Sequence, residues 1–203
     1  IVPVFNIHFL TSLIFTGALG FILYLYLNKK YLSPFSAGYA LKGFLDYTLS
    51  GLFLIVVYLA VRVEISTYWN QLYIASGFET SNIDSPVQTV YNADLKSYKA
   101  IWLVNYTLLF FACLTFVNIR NIKNETFGVI IYWLSFVTLF VFLFQSLFLL
   151  SELRESYLNN SVSSGFHPAV FNVAFRYICF LFAALSLIAT KMWMRRVVLT
   201  EYY

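Results

Sequence analysis

The sequence predicts an all-α protein, a polytopic transmembrane helical bundle of about five membrane-spanning helices. Three observations lead there. Hydrophobic residues make up 61% of the 203-residue chain and charged residues only 11%, where a soluble domain carries roughly a quarter charged residues. The apolar residues gather into five long runs. The basic residues stand singly or in pairs at the ends of those runs. A globule of this composition would lack a charged skin. Lipid is the solvent that removes the conflict.

The first expected span runs from about Phe9 to Leu27 and stops at Asn28-Lys29-Lys30. As a helix it rises about 28 Å, close to one hydrocarbon thickness. The second, about Gly43 to Val61, stops at Arg62. The third, about Ile101 to Val117, is entered through Lys96 and Lys99 and left through Arg120. The fourth, about Phe127 to Leu150, ends at Ser151-Glu152-Leu153-Arg154-Glu155, and the fifth, about Phe171 to Met194, ends at Arg195-Arg196. Barrel strands would be about ten residues long and alternate in polarity, so unbroken runs of this length mean helices. The whole of 1–203 reads as one helical membrane domain.

Orientation follows from the Lys and Arg in alternate connections. Lys29, Lys30, Lys42, Arg120, Lys123, Lys191, Arg195 and Arg196 fall on one side, and Arg62, Lys96, Lys99 and Arg154 on the other. The acids Glu64, Glu79, Asp84, Asp94, Glu152 and Glu155 all share the side with fewer bases. The expected topology has the N-terminus outside and the C-terminus in the cytoplasm.

The connection 62–99 is long and lies outside in that topology. Val61, Ile65, Tyr68, Trp69, Leu72 and Tyr73 recur at helical steps, so the second helix is expected to continue to about Ala75 and end at Gly77. Glu79 to Pro86 reads as a polar loop, and a short helix is expected to restart near Asn92-Ala93-Asp94.

Polar groups inside spans are the usual pointers to function, because each is costly there. Asn105, Gln145 and Arg176 lie about a turn inside the outer ends of the third, fourth and fifth spans. Glu64 and Glu152 cap the outer ends of the second and fourth. These five form a candidate polar recess at one depth, with Arg176 and Glu152 or Glu64 as its natural ion pair. The plainer expectation is that Arg176 snorkels to the headgroups and that Asn105 and Gln145 bond neighbouring helices.

Asp46 lies one turn into the second span, four residues after Lys42, which would neutralise it. His8 and His167 fall near the outer face without ligand spacing, so no metal site is expected. Cys113 and Cys179 sit within apolar runs and read as small hydrophobes. Thr16 with Gly20, and Ser186 with Thr190, are small pairs four apart that let helix backbones approach. The 22 Phe residues read as packing and lipid-facing groups.

Several motifs are absent from the sequence: a Gly-rich phosphate loop, a Gly-x-Ser-x-Gly elbow, Cys-x-x-Cys and His-Glu-x-x-His. The scattered bases exclude a nucleic-acid stripe. No cofactor is expected. The expected partners are the lipid bilayer and other membrane helices of the same or a partner chain. The start at Ile1, with no basic leader before the first span, reads as a segment of a longer polypeptide or a mature chain.

The stretches Ile101-Trp102-Leu103-Val104-Asn105-Tyr106-Thr107-Leu108-Leu109-Phe110, Ser151-Glu152-Leu153-Arg154-Glu155-Ser156-Tyr157-Leu158 and Phe171-Asn172-Val173-Ala174-Phe175-Arg176-Tyr177, with the opening Val2-Pro3-Val4-Phe5-Asn6, give the chain a family look. It resembles the bacterial multi-spanning membrane proteins known as domain of unknown function twenty-three thirty-nine, in versions like those of Bacteroidetes. The resemblance implies a segment of a larger helical membrane domain and brings no catalytic residue with it. The expected role is a non-enzymatic scaffold or accessory component of an envelope membrane assembly. The alternatives are a transporter or channel component using the polar recess, and an enzyme acting on lipid-linked substrates through Glu64, Glu152 or Glu155.

Overall fold

A computed structural model describes residues 7–28, 39–80, 88–159 and 170–201. It is almost entirely helical. Helix α1 spans Ile7–Leu27 and α2 spans Tyr39–Ala75. A two-stranded antiparallel ribbon follows, β1 (Phe78–Thr80) paired with β2 (Gln88–Val90). Then come α3 (Asp94–Val117), α4 (Glu125–Val141), α5 (Leu147–Asn159) and α6 (Phe171–Glu201). Among the described residues, five helical segments are long and apolar enough to cross a membrane, because α4 and α5 run on as one rod through a π-helical turn at Phe142–Ser146. The contacts divide the chain into two compact units, Ile1–Tyr68 and Trp69–Tyr203.

In the first unit, α1 approaches α2 closely at the expected small pair. A Cβ on Gly20 would stand 3.0 Å from Cε2 of Phe53. Thr16 turns its hydroxyl into its own helix, donating to the Ser12 carbonyl at 2.7 Å. Asp46 sits beside the Tyr26 hydroxyl of α1. The side chain of Lys42, its expected partner, lies outside the described residues, as do the His8 side chain and all of His167.

In the second unit α3 is central, packed most extensively on α6 and then on α4, with α5 against α6. Its core runs through Ile101 and Leu108 of α3, Leu150 and Leu153 of α5, and Phe175 and Cys179 of α6, with Phe142 from the π turn. Small side chains are buried among these larger ones: Ala112, Ser135, Ser146, Ala183, Ser186 and Ala189. Phe136, Phe140, Phe144 and Phe148 face outward. Small residues at the contacts with large apolar side chains turned outward fit a membrane-embedded bundle, where close backbone approach helps helices associate.

The π turn has a cause in the sequence. The buried stripe of this rod passes through Thr138, Phe142, Ser146 and Leu150, three successive steps of four. In an α-helix each such step overruns a whole turn, and three overrun by about 120°. The wider turn, in which the Leu147 N–H donates to the Phe142 carbonyl, absorbs the drift and keeps the stripe on the bundle.

The chain reverses between α3 and α4 through a second π-helical turn, Asn118–Ile122. Lys123 closes it in the left-handed region (φ 55°), its N–H donating to the Asn118 carbonyl at 2.8 Å. This is the helix-ending position where glycine is usual. The Asn124 side chain then caps α4, accepting from the Phe127 N–H at 3.1 Å.

Candidate functional site

A network of hydrogen-bonded polar side chains in the second unit lies at the end that carries the ribbon. Asp94 opens α3, where a carboxylate suits the helix N-terminus, and its own N–H is held by the Asn92 side chain at 3.1 Å. Tyr98, one turn on, is buried, and Asn172 in the first turn of α6 is 3% exposed. The Tyr98 hydroxyl donates to Asn172 Oδ1. Asn172 Nδ2 donates to Asp94 Oδ2 at 2.8 Å, and the same oxygen accepts from the Ser156 hydroxyl of α5 at 3.0 Å. One carboxylate, one amide and two hydroxyls thus tie together the ends of α3, α5 and α6.

Aromatic rings wall this clasp. Tyr98 stacks on Trp69 at the end of α2 (centroids 5.4 Å) and meets Phe175 edge-on at 5.2 Å. Outside the wall, Lys99 Nζ donates to Asn70 Oδ1 at 2.8 Å and the Lys96 ammonium lies 4.5 Å from the Tyr73 ring. The Ser76 hydroxyl donates to the Tyr73 carbonyl at 2.7 Å and accepts from the Asn92 N–H at 3.0 Å. These contacts fasten the ribbon to the end of α2.

The five sequence candidates fall in different settings. Asn105 is fully buried, and its Nδ2 lies 3.3 Å from Cys179 Sγ as a hydrogen-bond donor. Gln145, within the π turn, and Glu152 are exposed, while Arg176 is half-buried. Among the described residues no ion pair joins Arg176 to Glu152. Glu64 belongs to the first unit and is half-buried. The structure therefore brings Asn105 to Cys179, and brings none of the other candidates into the clasp.

Sequence reasoning did not single out Asp94, Tyr98, Ser156 or Asn172. A signal was present. Asp94 and Tyr98 stand four apart on one helix face, and Asn172 is a lone amide one residue into an apolar run. Arg176, one turn from Asn172 on the same helix, drew attention because charge costs more than an amide in lipid.

Chemically the clasp is a closed hydrogen-bond chain. One oxygen of its carboxylate is doubly occupied, by the Ser156 hydroxyl and the Asn172 amide, and both ends of that amide are used. Elsewhere in the core the acceptor Asn105 Oδ1, the hydroxyls of Ser135, Ser146 and Ser186, and the Trp102 indole N–H are buried without hydrogen-bond partners. Among the described residues no cluster of His, Cys, Asp and Glu is arranged to hold a metal ion. No protein-family model, no curated protein and no solved structure matches this chain.

Proposed function

We propose that this chain is a non-enzymatic scaffold or accessory segment of a bacterial envelope membrane assembly. It belongs in this reading to a larger helical membrane domain of the kind it resembles. The observation that carries the reading is the clasp, whose hydrogen bonds hold three helix ends together. The distribution of Lys and Arg supports an inner-membrane topology with the N-terminus outside. In a chain lacking Cys113, a membrane-impermeant maleimide on intact cells is then expected to label Glu155→Cys and to spare Glu125→Cys until the membrane is opened. The reverse pattern overturns the orientation.

A second reading, a transporter or channel component, draws on Asn105. An unpaired acceptor in a dry core costs roughly 1–3 kcal/mol, and internal water along a polar path would satisfy it. One substitution separates the two. On the scaffold reading, Asn105→Leu removes an unsatisfied acceptor at little volume change. It leaves thermal stability in detergent within about 1 kcal/mol of the parent, or raises it, and complements deletion of the gene in full. On the transport reading the same variant folds and fails to complement, as Arg176→Ala and Gln145→Ala also would. Failure of any of the three at normal protein level sinks the scaffold reading.

A further inference from the structure

At the end opposite the clasp, α4 and α6 leave between them an open groove of about 950 Å³. That is near the upper limit of small-ligand sites, roughly 300–1,000 Å³. Its walls are Tyr132, Phe136 and Leu139 of α4 and Leu187 and Met194 of α6; its rim holds Lys191 and Arg195. Thr190 also lines it, but its hydroxyl is turned back onto the carbonyls of Ser186 and Leu187, at 3.1 and 2.9 Å. The walls are accordingly apolar. Tyr132 is fixed in place by stacking on Trp193 (5.5 Å), so this part of the groove is preformed.

Depth and charge are arranged along the groove. Lys191 and Arg195 lie about 30 and 36 Å along α6 from Phe171 at 1.5 Å per residue, which is one hydrocarbon thickness away. They stand one turn apart on the same face, both exposed. Among the described residues neither forms an ion pair. Two like charges at that spacing repel each other and call for an anion between them. On α4, Tyr132 and Leu139 lie about 10 and 21 Å in from Glu125, so the apolar walls descend from the headgroup zone toward the middle of the bilayer.

We propose that this groove holds one anionic phospholipid, its acyl chains along the Phe136, Leu139 and Leu187 walls and its phosphate between Lys191 and Arg195. Charge complementarity selects this occupant. Arg and Lys bind phosphate through charge-assisted hydrogen bonds. A second copy of the chain docked through the same face, about an axis normal to the membrane, would set four cations against one another at one level. A neutral helix would cover both cations without pairing them. The inference needs only that the bundle is membrane-embedded and does not rest on the scaffold reading.

Native mass spectrometry of the purified chain in neutral detergent tests it, with phosphatidylglycerol and phosphatidylcholine of matched acyl chains. Phosphatidylglycerol is expected to bind about tenfold more tightly. The double variant Lys191→Gln/Arg195→Gln should bring it down to the level of phosphatidylcholine, because both side chains are exposed and their loss leaves the core intact. Leu187→Trp fills the groove and is expected to weaken both lipids, while millimolar inorganic phosphate displaces neither. Equal binding of the two lipids to the parent overturns the proposal, as does a preference that survives in the double variant. Displacement by phosphate alone would make this an anion site without a lipid. A lipid-free dimer abolished by Leu187→Trp would assign the groove to a second copy.

Discussion

Gly128→Ala is expected to destabilise the second unit by about 1–3 kcal/mol, and Gly128→Leu by more. Gly128 is buried on α4 where α6 crosses it. A Cβ there would run into Nε1 of Trp193, stand 2.7 Å from its Cε2 and lie 2.8 Å from Nδ2 of Asn118. Neither neighbour is free to yield. The Trp193 ring is stacked on Tyr132. The Asn118 amide is committed to the reversal, donating to the Asn124 carbonyl at 3.0 Å while its Oδ1 accepts from the Asn124 N–H at 3.2 Å. Arg196, one turn beyond Trp193, ties α6 to the same reversal through the Ile119 carbonyl. Any side chain at 128 must therefore push α6 away or break the turn. Unfolding in mixed detergent micelles, followed by tryptophan fluorescence, measures the loss. Trp193→Ala in the Gly128→Ala background should recover part of it, giving a coupling between the two sites. A Gly128→Ala variant within about 0.5 kcal/mol of the parent would mean that α4 and α6 do not meet there.

The second large effect is expected at the clasp. Asn172→Leu removes at once the acceptor of the Tyr98 hydroxyl and a donor to Asp94. Leaving a buried polar group unsatisfied costs about 1–3 kcal/mol; the Tyr98 hydroxyl is orphaned while Asp94 keeps the Ser156 hydroxyl, so the expected loss is about 1–3 kcal/mol. Tyr98→Phe should cost less, about 1 kcal/mol, because the ring keeps its stacking on Trp69 and its edge contact with Phe175. It leaves Asn172 still bonded to Asp94. The double variant should be less destabilised than the sum of the two, since the phenylalanine ring has no hydroxyl left to orphan. Strict additivity would show that the two side chains do not communicate, and the clasp would lose its role as the joint of α3, α5 and α6.

Much of the helical framework was legible because the period and length of an apolar run are local properties. The limits of Phe9–Leu27 and the continuation of α2 to Ala75 required only hydropathy and a helical face. The ribbon was missed. Phe78–Thr80 and Gln88–Val90 carry no alternating pattern of their own, and they pair because Ser76, Tyr73 and Tyr91 anchor them to the end of α2. The π turn at Phe142–Ser146 was also missed, because a contiguous apolar run hides which of its residues face inward.

The candidate recess shows where local reading stops. Asn105, Gln145, Glu152 and Arg176 were grouped by depth, which position along a span determines. Depth leaves the azimuth open. Asn105 points into the bundle and Gln145 away from it, and a helix rotates by about 100° per residue, so neighbours in depth can face opposite ways. The bilayer as solvent, the all-α class and five apolar helices follow from composition and run length, because the cost of apolar surface in water and of bare backbone in lipid accrues residue by residue. Which polar side chains meet was decided only by tertiary packing. Asp94, Tyr98, Ser156 and Asn172 come from three helices, and their hydrogen bonds depend on the relative rotation of those helices. Small buried residues such as Gly128, Ser186 and Ala189 fix that rotation through shape, and shape complementarity leaves no periodic trace in a single chain.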